Sequence, residues 1–203
     1  MSSSWCVPLP TILPSSKTII DVYKRQVSKE NTPTETKKKI EFQSSEPYPP
    51  INCSIKNSMY ARIMLDNMAG NRSEMSAISL YTYNQLITDE HKEIAEMFHK
   101  ISIVEMHHLY IFGTLARQLG ADPRLWTSRH NRAVYWSPGF NQYPKALPQL
   151  IEHSLQEEQF AVEKYTKQIN VIKDEVIIHN LKRIILDEEL HVNILENCLN
   201  TYQ

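Results

Sequence analysis

Glu74-Met75-Ser76-Ala77-Ile78-Ser79-Leu80-Tyr81 returns later in the chain as Glu158-Gln159-Phe160-Ala161-Val162-Glu163-Lys164-Tyr165. Both octets read Glu-x-x-Ala-[Ile/Val]-x-x-Tyr. Each is followed by Glu-x-x-His, first as Glu105-Met106-His107-His108 and then as Glu188-Glu189-Leu190-His191. The lone Glu precedes the paired Glu by 31 residues in the first copy and by 30 in the second. Positions i and i+3 of a helix share a face, so each Glu-x-x-His aims a carboxylate and an imidazole at one point. Two Glu helices and two Glu-x-x-His helices are the ligand set of a dinuclear carboxylate centre inside a four-helix bundle. The sequence therefore predicts an all-α four-helix bundle with Glu74, Glu105, His108, Glu158, Glu188 and His191 as metal ligands.

Turn positions bring the two halves of each hairpin together. The midpoint between 74 and 105 falls at Asp89-Glu90, beside a helix-start signal in Thr88-Asp89, and the midpoint between 158 and 188 falls at Lys173-Asp174. Residues equidistant from the turn of an antiparallel hairpin stand level. Glu74 is thus expected opposite Glu105, and Glu158 opposite Glu188.

Proline maps the rest. Seven of the eleven prolines lie in residues 1–50, and residues 51–122 and 149–203 contain none, which leaves two windows free to be helical. Ile94, Met97, Phe98, Ile101, Val104, His108, Ile111, Phe112 and Leu115 recur at three- and four-residue steps, marking a helix from 89 to 119 that ends near Gly120. Similar stripes predict helices over 147–171 and 174–199. For the first helix we expect one continuous rod from Ser58 through Gly70 to Ile87, although Gly70 inside it costs roughly 1 kcal/mol relative to Ala. The stretch between Leu119 and Leu147, with Trp126, Tyr135 and Trp136, is long enough to run the length of a bundle as a crossover.

Four carboxylates on core stripes at one level repel one another as well as resisting burial. No arginine or lysine lies on these stripes, whereas two divalent cations would balance the four charges. Oxygen-rich ligation with one imidazole per ion suits two manganese or two iron ions per chain. Tyr81 and Tyr165 occupy matching places near the centre, where they either hydrogen-bond ligand carboxylates or serve as core aromatics. His107 points about 100° away from His108 and is left out, as are Glu157 and Glu189. His91, His99, His130, His153 and His179 have no spacing partner.

A net charge of −1 gives no field to attract nucleic acid or an anionic membrane. No apolar run approaches the roughly 18–20 residues that cross a bilayer. Three cysteines, far apart and without Cys-x-x-Cys, argue against a disulfide framework or a rubredoxin-type iron site and fit a reducing cytoplasm. Residues 1–56, rich in Ser, Thr, Pro and Lys, are expected to be disordered or extended, with the bundle spanning 57–203. Thr18-Ile19-Ile20-Asp21-Val22-Tyr23-Lys24-Arg25-Gln26 resembles translated adapter sequence, so residues 1–26 carry no functional argument.

Glu74-Met75-Ser76-Ala77-Ile78, Ile103-Val104-Glu105-Met106-His107-His108 and Asp187-Glu188-Glu189-Leu190-His191 resemble the ferritin-like superfamily over residues 50–203. Within it they are most similar to manganese catalases, their spore-coat relatives and rubrerythrin-like proteins. The resemblance implies a homo-oligomeric bundle of two hairpins joined by a crossover, in the cytoplasm or associated with spores. Rubrerythrins add a four-cysteine iron site and an extra carboxylate where this chain has Ala161. The resemblance to manganese catalases implies disproportionation of hydrogen peroxide, with Glu188 as an acid–base group. It leaves open a reductant-dependent di-iron peroxidase, an iron-oxidising storage protein, and a coat protein with a vestigial site.

Overall fold

Both proline-free windows are helical. The computed structural model describes residues 40–130 and 132–202, and the expectations for residues 1–39 lie outside them. Helices α1 (Ser58–Ala69) and α2 (Glu74–Ile87) run in succession along α3 (Lys92–Gln118), while α4 (Leu147–Val171) packs along α5 (Glu175–Tyr202). Two hairpins, the first with a divided leading helix, make the expected ferritin-like four-helix bundle.

The periodic stripes become the core. On α3, Ile94, Phe98 and Ile101 are buried at one end and Ile111, Phe112 and Leu115 at the other. The first group joins Leu80, Leu150, Ile151 and Leu195 in one apolar cluster. The second joins Met64, Leu65, Ile177, Leu181 and Ile184 in another. Full burial of each such side chain contributes about 1.5–3 kcal/mol. Between the clusters, at the level of Glu105 and His108, the stripes carry charge instead of hydrocarbon. Helix α3 ends in a Schellman motif: Ala121 N–H donates to Ala116 O, Gly120 N–H donates to Arg117 O, and Gly120 has φ 103°. A positive φ there selects glycine.

The continuous rod expected over 58–87 is divided at residues 70–73. Gly70 leaves the helix with φ −71° and ψ −172°, angles open to any residue. What requires glycine is space: a Cβ there would lie 2.5 Å from the Asp66 carbonyl oxygen. Ser73 then caps α2 by accepting from Ser76 N–H. The backbone groups released by the break find other partners. Ser76 Oγ donates to Asn71 O at 2.8 Å, and Lys164 Nζ donates to Arg72 O at 3.0 Å. Gly70's helix propensity was a weak signal, and the local contacts of Ser73 and Ser76 are joined by Lys164 from a distant part of the chain.

The crossover holds an antiparallel hairpin, β1 (Trp126–Arg129) with β2 (Arg132–Tyr135), and a 3-10 turn over Pro138–Phe140. It braces the helix break. Thr127 Oγ1 donates to Asp66, Trp136 Nε1 to Ser76 Oγ, and Asn141 Nδ2 to Ser76 O. Residues 40–57 form no helix or strand, but they lie against the bundle through Gln118, whose amide bonds Ile51 O and Cys53 N–H. Among the described residues no helix is long and apolar enough to cross a membrane.

Candidate metal centre

Each of the four rods contributes to one buried layer. Helix α2 places Glu74 in its first turn, α3 brings Glu105 and His108, α4 brings Glu158, and α5 brings Glu188 and His191. All six are at most 3% exposed. They fall into two overlapping sets whose candidate ligand atoms lie within 4.8 Å of one another: Glu74, Glu105, His108 and Glu188, and Glu105, Glu158, Glu188 and His191. Glu105 and Glu188 belong to both sets. Glu74 and Glu158 stand at opposite ends, each with one imidazole in its set.

The donor atoms converge in a manner that protein contacts alone do not satisfy. His108 Nδ1 lies 3.2 Å from both Glu105 Oε2 and Glu188 Oε1. His191 Nδ1 lies 3.0 Å from Glu105 Oε1 and 3.3 Å from Glu188 Oε2. Yet His191 Nδ1, Glu105 Oε1 and both Glu188 oxygens make no hydrogen bond. The distances suit ion pairs, but the alignment of a hydrogen bond is missing. Buried polar atoms left in this state are costly. A pair of cations at the two sets would give every one of them a partner, and four carboxylates would match two divalent charges. The residues present fit a dinuclear centre of hard, oxygen-preferring ions.

Electrostatics divides the four glutamates into two kinds. Burial, reinforced by the charges of Glu105 and Glu188, holds the Glu74 and Glu158 carboxyls well above the usual carboxylate range. Burial also opposes ionisation of Glu105 and Glu188, but His108 and His191 outweigh it and hold both below that range. Burial likewise works against protonated His108 and His191, and the surrounding carboxylates override it and raise both well above the usual imidazole value.

Tyr81 and Tyr165 cross between the hairpins. Tyr81 on α2 donates its hydroxyl to Glu158 Oε1 on α4, and Tyr165 on α4 donates to Glu74 Oε1 on α2. Each tyrosine therefore holds the terminal carboxylate of the other half. Beside them a cavity of about 30 Å³ is lined by Glu74, Ala77, Tyr81, Glu158, Ala161 and Tyr165, among others. At its edge Arg72, from the helix break, pairs with Glu157 at 2.7 Å and sits over the Phe160 ring. His107 points away, its ring 4.4 Å from Tyr48, and Glu189 is exposed.

Several participants escaped the sequence reading. Asp187, fully buried, accepts from His108 Nε2 at 3.0 Å, and the imidazole, Tyr48, Ser44 N–H and Arg183 overcome its burial to hold its pKa down at about 2. Arg183 is buried as well, but it pairs with Asp187 at 2.8 Å rather than with the glutamates of the layer. The other histidine of the layer, His191, hydrogen-bonds through Nε2 to the Phe42 carbonyl at 2.9 Å. Asp187 and Arg183 had a signal in their i, i+4 spacing. A backbone carbonyl has none.

Comparison with known proteins agrees with this architecture. The family model described as Rubrerythrin matches residues 68–199. No curated protein matches the chain. Among solved structures, the manganese catalase KatB from Anabaena superposes with a TM-score of 0.69 at 19% identity, covering 80% of each chain. Bacterioferritin from Rhodobacter capsulatus gives 0.61 at 23% identity over 72% of this chain and 88% of its own. Mycobacterium tuberculosis bacterioferritin BfrA gives 0.58 at 20% identity over 72% and 87%. At these identities the likeness concerns the fold.

Proposed function

The chain belongs to the rubrerythrin family, and on that premise we propose that it is a cytoplasmic, homo-oligomeric oxidoreductase that disproportionates hydrogen peroxide at a dinuclear centre. The observation that carries the reading is the cavity of about 30 Å³ against the two sets of ligands. One water molecule needs roughly 10–15 Å³ of such space, so the cavity has room for a small substrate of peroxide size. Ala77 and Ala161 leave this space open.

Glu74, Glu105, His108 and Glu188 would hold one ion, and Glu105, Glu158, Glu188 and His191 the other. Bound manganese or iron would supply the two-electron redox chemistry that converts two peroxides into one oxygen and two waters. Tyr81 and Tyr165 fix the terminal carboxylates. Glu188, shared between both sets and with neither oxygen hydrogen-bonded, would help to hold the ions and would carry the protons that peroxide must lose and regain. The surrounding apolar clusters restrict water.

Manganese-loaded protein should evolve oxygen from hydrogen peroxide with no reductant present, as read on an oxygen electrode. Glu188→Gln should lower turnover more than metal content. Elemental analysis should find two ions per chain. His108→Ala and His191→Ala should each reduce that number, and His107→Ala should not. Membership of the rubrerythrin family favours a second reading, a reductant-dependent di-iron peroxidase. Peroxide loss that needs a donor and releases no oxygen would select it.

A further inference from the structure

The two halves of the centre are alike in their ligands and unlike in what stands behind them. Glu105 and Glu188 occupy equivalent positions in the repeat, so Asp187 corresponds to Val104. Asp187 on α5 reaches across to His108 on α3. By the same symmetry residue 104 on α3 would reach His191 on α5, but Val104 is a buried hydrocarbon with nothing to accept a proton. The Phe42 carbonyl fills that role, bonding His191 Nε2 at 2.9 Å from outside the repeat.

The segment carrying Phe42 serves the other histidine as well. Ser44 N–H donates to Asp187 Oδ1 at 2.7 Å, and Tyr48 Oη donates to Asp187 Oδ2 at 2.5 Å. Arg183 fastens the same segment. It donates to Ser44 O at 2.9 Å and Glu46 O at 2.6 Å, and its guanidinium lies 4.0 Å from the Tyr48 ring centre. Phe42 packs into the cluster around Leu195.

From these contacts we propose that residues 42–48 are a positioning strap for the metal centre, orienting both ligand imidazoles. The strap acts on His191 directly through the Phe42 carbonyl and on His108 through Asp187. In both rings Nδ1 faces the glutamates, so Nε2 must carry the hydrogen that the strap side accepts. A carboxylate behind an imidazole makes it a stronger donor than a neutral carbonyl does. The ion on His191 is therefore the weaker-bound of the two and the one more dependent on the strap.

This inference rests on the dinuclear reading, and one set of Mn(II) titrations separates the two. Free Mn(II) is followed by its electron paramagnetic resonance signal in the full chain. Wild type should take up two ions. Phe42→Ala should weaken one of them by about tenfold or more and spare the other, with Phe42→Leu restoring it. The same substitution made in His191→Ala should have no further effect, whereas in His108→Ala it should act as before. Tyr48→Phe, which removes only a hydroxyl, should show the mirror pattern, its effect vanishing in His108→Ala. Because linkage is reciprocal, Mn(II) should also slow hydrogen exchange in the peptide spanning residues 40–50 of wild type. Unchanged affinity for both ions in Phe42→Ala and Tyr48→Phe would overturn the strap. So would an effect of Phe42→Ala that persists undiminished in His191→Ala, since that is packing rather than positioning. Wild type taking fewer than two ions would overturn the dinuclear reading, and the strap with it.

Discussion

Replacing Tyr165 with Phe removes one oxygen atom and tests the charge state of the layer it touches. Tyr165 is buried, and its hydroxyl donates to Glu74 Oε1. With metal bound, Glu74 is an ionised ligand, and a hydrogen bond to a buried charged group contributes about 1.5–3 kcal/mol. A domain of this size shifts its melting temperature by roughly 2–4 °C per kcal/mol. The metal-loaded variant should therefore melt about 3–12 °C below wild type. Without metal, burial and the charges of Glu105 and Glu188 raise the Glu74 carboxyl well above the usual carboxylate range and favour its neutral form. The bond then joins neutral partners, contributing about 0.5–1.5 kcal/mol, so the apo variant should lose less. Calorimetry on wild type and variant, each with and without Mn(II), completes the cycle. Equal losses in both forms, or none in the loaded form, would refute the claim that Tyr165 supports an ionised ligand.

Chelation should destabilise the bundle in a pH-dependent way. The raised carboxyls of Glu74 and Glu158 carry a penalty that builds as pH rises above their ordinary value of 4.5, and the raised imidazoles of His108 and His191 lose their contribution as pH rises above 6.5 towards their folded values. Both slopes have one sign, so apo protein should melt progressively lower from about pH 5 to pH 8. Below the ordinary carboxylate values the depressed groups Asp187, Glu105 and Glu188 lose their contributions, and stability falls again. Metal-loaded protein should show a widening advantage over the same range, because protons compete with the ions; coincident melting curves would contradict the burial of the cluster. Gly70→Ala should cost about 1–3 kcal/mol, because its Cβ would meet the Asp66 carbonyl oxygen at 2.5 Å. Unchanged stability in a denaturant melt would show that the break does not depend on that close approach.

The sequence by itself determined the long helices α3, α4 and α5 and the buried layer of glutamates and histidines they share with Glu74. Helical periodicity is a local property, and the apolar stripes of α3, α4 and α5 carry it without reference to the rest of the chain. Equal spacing from the turns then set Glu74, Glu105, Glu158 and Glu188 at one level, because an antiparallel hairpin converts sequence distance into height. Tertiary structure decided what surrounds that layer. The break at Gly70–Ser73 forms because Lys164 arrives from α4 to meet the Arg72 carbonyl it exposes, while Trp136 and Asn141 arrive from the crossover to hold Ser76 beside it. The partition of the four glutamates into two kinds arises from which carboxylates face the imidazoles, a matter of side-chain geometry across four helices. The hold on His191 comes from the Phe42 carbonyl, a group every residue possesses. Sequence names side chains, and side chains with their spacing predict a metal layer. Contacts made by peptide groups become readable only once the chain has folded and brought a particular carbonyl within 2.9 Å of a particular ring.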